Sequence, residues 1–110
     1  MADNMIVLQK MLDIAVFRHK VLASNIANAD TPGYKAKDIS FEKELQKAVS
    51  GSNSVYEVTE SPSMLQNRDL NTVDLNIEMA KVAENTLIYN TATQLLGMKI
   101  RMTKDALKGA

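Results

Sequence analysis

From Asn4 to Asn28 the chain has neither proline nor glycine, and its side chains follow a helical rhythm. Leu8, Leu12, Ala15, His19, Leu22 and Ile26 alternate steps of four and three, which places them on one stripe of an α-helix. A neighbouring stripe holds Val7, Met11, Ile14 and Val21. Two adjacent stripes predict an apolar face wider than one partner helix can cover, on a helix about 37 Å long. Its end is well marked. Asn28 suits a left-handed cap, Pro32 pushes Thr31 toward extended backbone, and Pro32-Gly33 fits the centre of a type II turn.

A second long helix is predicted over the last third of the chain. Asp74 is placed as its N-cap, with Glu78 in the first turns and Lys99, Arg101, Lys104 and Lys108 toward the end, all favourable to the helix dipole. Leu75, Met79, Val82, Thr86, Tyr89, Thr93, Leu96, Ile100, Thr103 and Leu107 recur every three or four residues. Ala80, Ala83, Leu87, Leu95, Met98 and Met102 populate a second face. At about 50 Å this helix is long for so short a chain, and Gly97 is its one weak point. Between Asn85 and Met98 no side chain is charged, yet Asn85, Thr86, Asn90, Thr91, Thr93 and Gln94 make the window too polar for a membrane. Such a window suits burial among other protein helices, where amides and hydroxyls find partners.

The region between, Tyr34 to Val73, is mixed. Ser40 is a candidate cap for a short helix carrying Phe41, Leu45, Ala48 and Val49, ended by Gly51. Val55 to Thr59 has the β-branched and aromatic character of a short strand, while Ser61-Pro62-Ser63 and Asn67-Arg68-Asp69 read as turns. With so little apolar content, this segment is expected to be partly mobile when the chain is alone. The expected organisation is therefore mainly α. Residues 1–33 and 74–110 together form one helical unit, and 34–73 makes an irregular middle.

Composition narrows the function. The 13 basic and 13 acidic side chains balance, so no overall field recruits nucleic acid or an anionic membrane. Only 5% of residues are aromatic, which leaves few platforms for stacked bases. Without cysteine there is no thiolate chemistry, and the single histidine, His19, cannot build a polyhistidine metal site. His19 is expected to sit in a helix seam. Asp74 and Glu78 form a carboxylate pair four residues apart, but first turns ordinarily carry acids. No cofactor, metal or small-molecule substrate is expected. The N-terminus has only four apolar residues, Met5 to Leu8, between Asp3 and Lys10, so no cleaved secretory signal is expected there. No stretch approaches the ~20 apolar residues of a membrane span. Two wide helical faces with little between them call for further copies or partners. A stand-alone helical adaptor or export chaperone is the alternative of a different kind.

The most informative stretch is Leu22 to Tyr34, L-A-S-N-I-A-N-A-D-T-P-G-Y. Nine uncharged residues from Val21 to Ala29 end in a hard turn. Ala23, Ser24 and Ala27 permit close helix approach, and Asn25 and Asn28 are placed to hydrogen-bond across an interface. This stretch resembles the N-terminal signature of the bacterial flagellar axial proteins, the rod, hook and hook-associated family. The following K-A-K-D-I-S-F and the short length bring it nearest the proximal rod members of that family. Asn71-Thr72-Val73-Asp74-Leu75-Asn76, opening the long C-terminal helix, fits the same resemblance.

The resemblance implies a fold and a role. The terminal helices pair as an inner helical domain, and neighbouring copies stack into a hollow tube that carries torque. The implied partners are other copies, other rod proteins, the rod-base adaptor and membrane-ring proteins, and the flagellar export apparatus. The implied site is the rod in the periplasmic space, reached without signal cleavage. The implied assembly motif is Ala23, Ser24, Asn25, Ile26, Ala27, Asn28, Asp30, Thr31, Pro32, Gly33 and Tyr34. The helix interface is expected to use Leu8, Leu12, Leu22, Leu75, Met79, Val82, Tyr89, Leu96 and Ile100.

Overall fold

A computed structural model describes residues 4–52, 55–61 and 70–109. In chain order the elements are α1 (Asn4–Ala27), β1 (Lys37–Asp38), α2 (Phe41–Val49), β2 (Thr59–Glu60) and α3 (Leu75–Lys108). The fold is mainly α, with two long terminal helices that pair and a small middle. α1 and α3 run antiparallel. Asn25, near the end of α1, meets Glu78 at the start of α3, and the Ala15 carbonyl meets Asn85. Val7 and Leu8 share a groove with Leu95, Met98 and Met102. The result is an elongated molecule of 67 × 25 × 17 Å.

The caps follow local chemistry. The Ser40 hydroxyl accepts from Lys43 N–H at the start of α2, and Gly51 takes φ 84 just after its end. Asp74 Oδ1 accepts from Asn76 and Ile77 N–H at the start of α3. At the end of α1, Gly33 takes φ 75 and Tyr34 N–H donates to Thr31 carbonyl at 3.2 Å, closing the turn through Pro32-Gly33. Asn28 is not left-handed: among the described residues the only non-glycine with positive φ is Leu70. The Asn28 side chain instead donates back to the Ser24 carbonyl at 2.8 Å.

The middle strands are shorter than the Val55–Thr59 reading. Only Thr59–Glu60 pairs, antiparallel to Lys37–Asp38, with Glu60 opposite Lys37. The Ser61-Pro62-Ser63 turn, Ser61 apart, and the Asn67-Arg68-Asp69 turn lie outside the described residues. α2 packs beside α1 differently from the apolar reading: its buried residue is Glu44, while Phe41, Leu45 and Ala48 are half-buried and Val49 is exposed. Glu44 accepts from Glu57 N–H and pairs with Lys47, and Phe17 meets the Tyr56 ring at 4.8 Å. Burial raises the Tyr56 pKa, helped by the charges of Asp13 and Glu44.

The core among the described residues is small and mixed. Ile14, Ala15, Leu22, Ala36, Ile39, Val73 and Ala92 are buried, but so are Arg18, Asn25, Glu44, Asn71, Glu78 and Asn85. The α1–α3 seam therefore depends on matched polar pairs as much as on apolar area.

Candidate functional site

The two helices are locked where α1 ends and α3 begins. Asn25 is fully buried on the last turns of α1 and uses its whole carboxamide. Its Nδ2 donates to the Lys37 carbonyl at 2.7 Å and to Glu78 Oε2 at 2.9 Å. Its Oδ1 accepts from Lys37 N–H at 3.0 Å and from the Tyr34 hydroxyl at 3.3 Å. The side chain thus pairs with the Lys37 backbone as a neighbouring strand would, and anchors α3 through Glu78. The same Tyr34 hydroxyl touches Ser24 Oγ at 3.3 Å, and Lys37 Nζ lies 5.6 Å from the Tyr34 ring centroid.

Asn71 does the complementary task from the other side. It is fully buried, and its Nδ2 donates to the carbonyls of Asn28, Ala29 and Thr31 at 2.9, 3.0 and 2.7 Å. α1 ends at Ala27, so these three carbonyls belong to the turn that follows it, where no regular ladder pairs them. Asn71 supplies the missing donors from 40 to 43 positions away. Its Oδ1 accepts from Val73 N–H, while Thr72 N–H donates to the Tyr34 carbonyl and Ala36 N–H to Thr72 Oγ1. The chain from Leu70 to Val73 is thereby sewn to Tyr34–Ala36.

A ladder of charge continues along the seam. Arg18 donates through Nε and Nη2 to both oxygens of Asp38, at 3.0 and 3.2 Å, and through Nη1 to Glu84 at 3.0 Å. Lys81 lies 3.6 Å from Asp38 and 3.9 Å from Glu78. Burial alone would lower the Arg18 pKa, but hydrogen bonds and charge from Asp38 and Glu84 more than offset it and raise it. A two-pronged Arg–carboxylate pair of this kind fixes orientation as well as distance. It ties α1, β1 and α3 at one point.

The expected motif residues divide into inner and outer sets. Asn25 is buried, Ile26, Asn28 and Tyr34 are half-buried, and Ala23, Ser24, Ala27, Asp30, Thr31, Pro32 and Gly33 are exposed. Of the expected helix-interface set, Leu22 is buried and Leu8, Leu12, Val82 and Leu96 are half-buried. Leu75, Met79, Tyr89 and Ile100 are exposed. The apolar stripe of α3 thus lies a quarter-turn around from the seam, which runs instead through Glu78, Lys81, Asn85, Ile88 and Ala92. His19 is exposed, not held in the seam. Periodicity misses Arg18, Asp38 and the lock function of Asn71. The only available signal was that Asn71 opens the stretch resembling the axial family.

Asp74 and Glu78 do not converge: one caps α3, and the other binds Asn25. Among the described residues no three His, Asp or Glu side chains cluster to hold a metal ion, and no helix is long and apolar enough to cross a membrane. The arrangement joins helices and leaves their flanks outward.

Residues 18–35, which contain Arg18, Asn25 and the turn, match the family model of flagella basal body rod proteins. Of the residues that lock the helices, the match covers Arg18, Asn25 and Tyr34, while Lys37, Asp38, Asn71, Glu78 and Glu84 lie beyond it. Across its length the chain is 34% identical to the flagellar basal body rod protein FlgB of Salmonella typhimurium strain LT2, covering 92% of this chain and 90% of that protein. It is 39% identical to FlgB of Cereibacter sphaeroides over 84% of each chain. With FlgB of Escherichia coli K12 the identity is 31%, over 91% of this chain and 89% of the other. The chain belongs to the FlgB family of flagellar basal body rod proteins.

Proposed function

We propose that this chain is a structural, non-enzymatic subunit of the bacterial flagellar basal-body rod. It polymerises through its paired terminal helices into the hollow shaft that transmits torque for motility. One observation carries the reading beyond family membership. After α1 and α3 have paired, large apolar side chains still face outward along α3, including Leu75, Ile77, Met79, Leu87, Leu95, Met98 and Met102. Apolar side chains exposed on more than one side of a long helix are a surface meant to be covered. From Asn85 to Met98 no charge has to be desolvated for protein to cover α3.

In this reading residues 1–33 and 74–110 form the inner helical unit, and the middle segment, 34–73, is anchored to it through the buried Ala36, Ile39, Asn71 and Val73. The exposed part of the motif, Ala23, Ser24, Ala27 and Asp30 to Gly33, faces neighbouring subunits, and so do Leu75, Met79, Tyr89 and Ile100. The partners are further copies, other rod proteins, the rod-base adaptor and ring proteins, and the export apparatus that delivers the chain uncleaved to the periplasmic rod. The buried carboxylates Glu44 and Glu78 support a structural role, since each is engaged by a specific partner within the fold.

The experiment is deletion of the gene followed by complementation. Cells lacking the chain should not swim, and the restored chain should co-purify with basal bodies. Swimming without the chain, or its absence from purified basal bodies, would overturn the proposal.

A further inference from the structure

α3 turns Glu78, Asn85 and Ala92 into the seam, and all three are buried. Their situations differ. Glu78 accepts from Asn25 Nδ2 at 2.9 Å and lies 3.9 Å from Lys81 Nζ, while the methyl group of Ala92 needs no partner. Asn85 stands between them. Its Nδ2 donates to the Ala15 carbonyl at 2.8 Å, but its Oδ1 is buried and meets no donor among the described residues. A carboxamide oxygen sealed in this way has left water without gaining a partner, which weighs against closing the seam over it. Nor does α1 need the bond that Asn85 offers. Helix geometry already pairs the Ala15 carbonyl with the N–H four residues further on. At this level of the seam the polar side chain therefore opposes the pairing that surrounds it.

The place of Asn85 along the seam gives that opposition a direction. On one side lies the lock, with Asn25, Glu78, Arg18 and Asn71 all partnered. On the other side the pairing is shallow. Among the described residues, none of α1 before Ile14 is buried, and past Asn85 only Ala92 of α3 is. Val7 and Leu8 meet Leu95 and Met98 there across an open groove. We propose that Asn85 is a release point in the seam of the single chain. The far halves of α1 and α3 part at Asn85 and rejoin, while the lock around Asn25 and Asn71 stays closed. Parting returns Oδ1 to water, so the orphaned oxygen favours the parted form. The two ends of the chain stay tied at the lock while Val7, Leu8 and Ala92 become reachable from outside. This is a property of one molecule and stands apart from the rod-subunit reading.

The chain has no cysteine, so an introduced thiol reports on its own position. Ala92→Cys lies beyond Asn85 and Ala36→Cys lies within the lock, and both alanines are buried. Each reporter would be made with and without Asn85→Leu and labelled with a maleimide, as the dilute purified chain under native conditions. Asn85→Leu removes the orphaned oxygen. The apolar groove of about 320 Å³ beside it, lined by Ala15, Val16 and Tyr89, has room for the added bulk. The expected result is that Ala92→Cys reacts faster than Ala36→Cys. Asn85→Leu should then slow Ala92→Cys about tenfold and leave Ala36→Cys unchanged. Equal rates at the two reporters, or equal slowing of both, would mean that the chain opens only as a whole, and would overturn the release point. Unchanged or faster labelling of Ala92→Cys in Asn85→Leu overturns it as well, since Asn85 would then not weaken the seam. Should Asn85→Leu lose helical circular dichroism, Asn85→Met, with a more adaptable side chain, is read in the same way. Failure of both variants to fold counts against the proposal.

Discussion

A single carboxamide at position 71 holds the carbonyls of the turn that follows α1, and a single glycine sets the direction in which the chain leaves that turn. Asn71→Ala removes the buried donor shared by three carbonyls of the turn after α1. The expected loss is on the order of 2–3 kcal/mol, read as a lower urea midpoint for helical circular dichroism. Asn71→Asp should cost at least as much, because it sets an acceptor against acceptors. Gly33 behaves differently. A Cβ there would meet nothing within 4 Å, but φ is 75. Gly33→Val is therefore expected to cost about 1–3 kcal/mol from backbone strain alone, and Gly33→Asn distinctly less. A ranking of melting temperatures Gly, Asn, Val in descending order checks this. Since Tyr34 N–H already closes on Thr31 within one chain, the penalty should appear before any assembly.

At the scale of elements, the helices and their stops were legible because they follow local rules. Ser40, Gly51, Asp74 and Pro32-Gly33 act within a few residues of where they stand. Which side of α3 turns toward α1 was not legible. Hydropathy favours Leu75, Met79, Val82 and Tyr89, whereas the seam uses Glu78, Asn85 and Ala92. Small and polar residues win that side because each amide or carboxylate has a specific partner on α1, some 53 to 70 positions away. No periodicity encodes such pairs. The apolar stripe then remains for neighbours, and this gives an element-level prediction. Thr93→Glu or Leu96→Glu should abolish incorporation into basal bodies, since a charge in a covered helix face costs on the order of several kcal/mol. Lys43→Glu, on the exposed side of α2, should incorporate and swim normally. Equal tolerance at all three positions would show that the uncharged window stays in water.

Over the whole molecule, stability should be graded along α3. Its first half is held by Asn25, Arg18 and the Ala15 carbonyl, through Glu78, Glu84 and Asn85. Its last turns, from Arg101 to Lys108, are exposed on every side. A helix end without tertiary packing draws little stability from propensity alone. Amide exchange on the dilute chain should therefore show protection around residues 78–92 and rapid exchange beyond residue 100. Slow exchange should spread to the end of α3 only in the assembled form. Uniform protection of the dilute chain would contradict this gradient.

The lock between Asn71 and the end of α1 also sets a clock. The residues that complete α1 lie 40 or more positions downstream, and the Ala15–Asn85 bond spans 70. During synthesis at ~5–20 residues per second, α1 emerges long before anything exists to cap or cover it, and the whole chain takes roughly 5–20 s to make. Contacts this distant form late and slowly compared with local ones. Newborn chains therefore spend seconds as an uncommitted helix with loose ends. That interval is when a chaperone, a protease or a secretion gate can take hold of the N-terminus without first having to unfold anything.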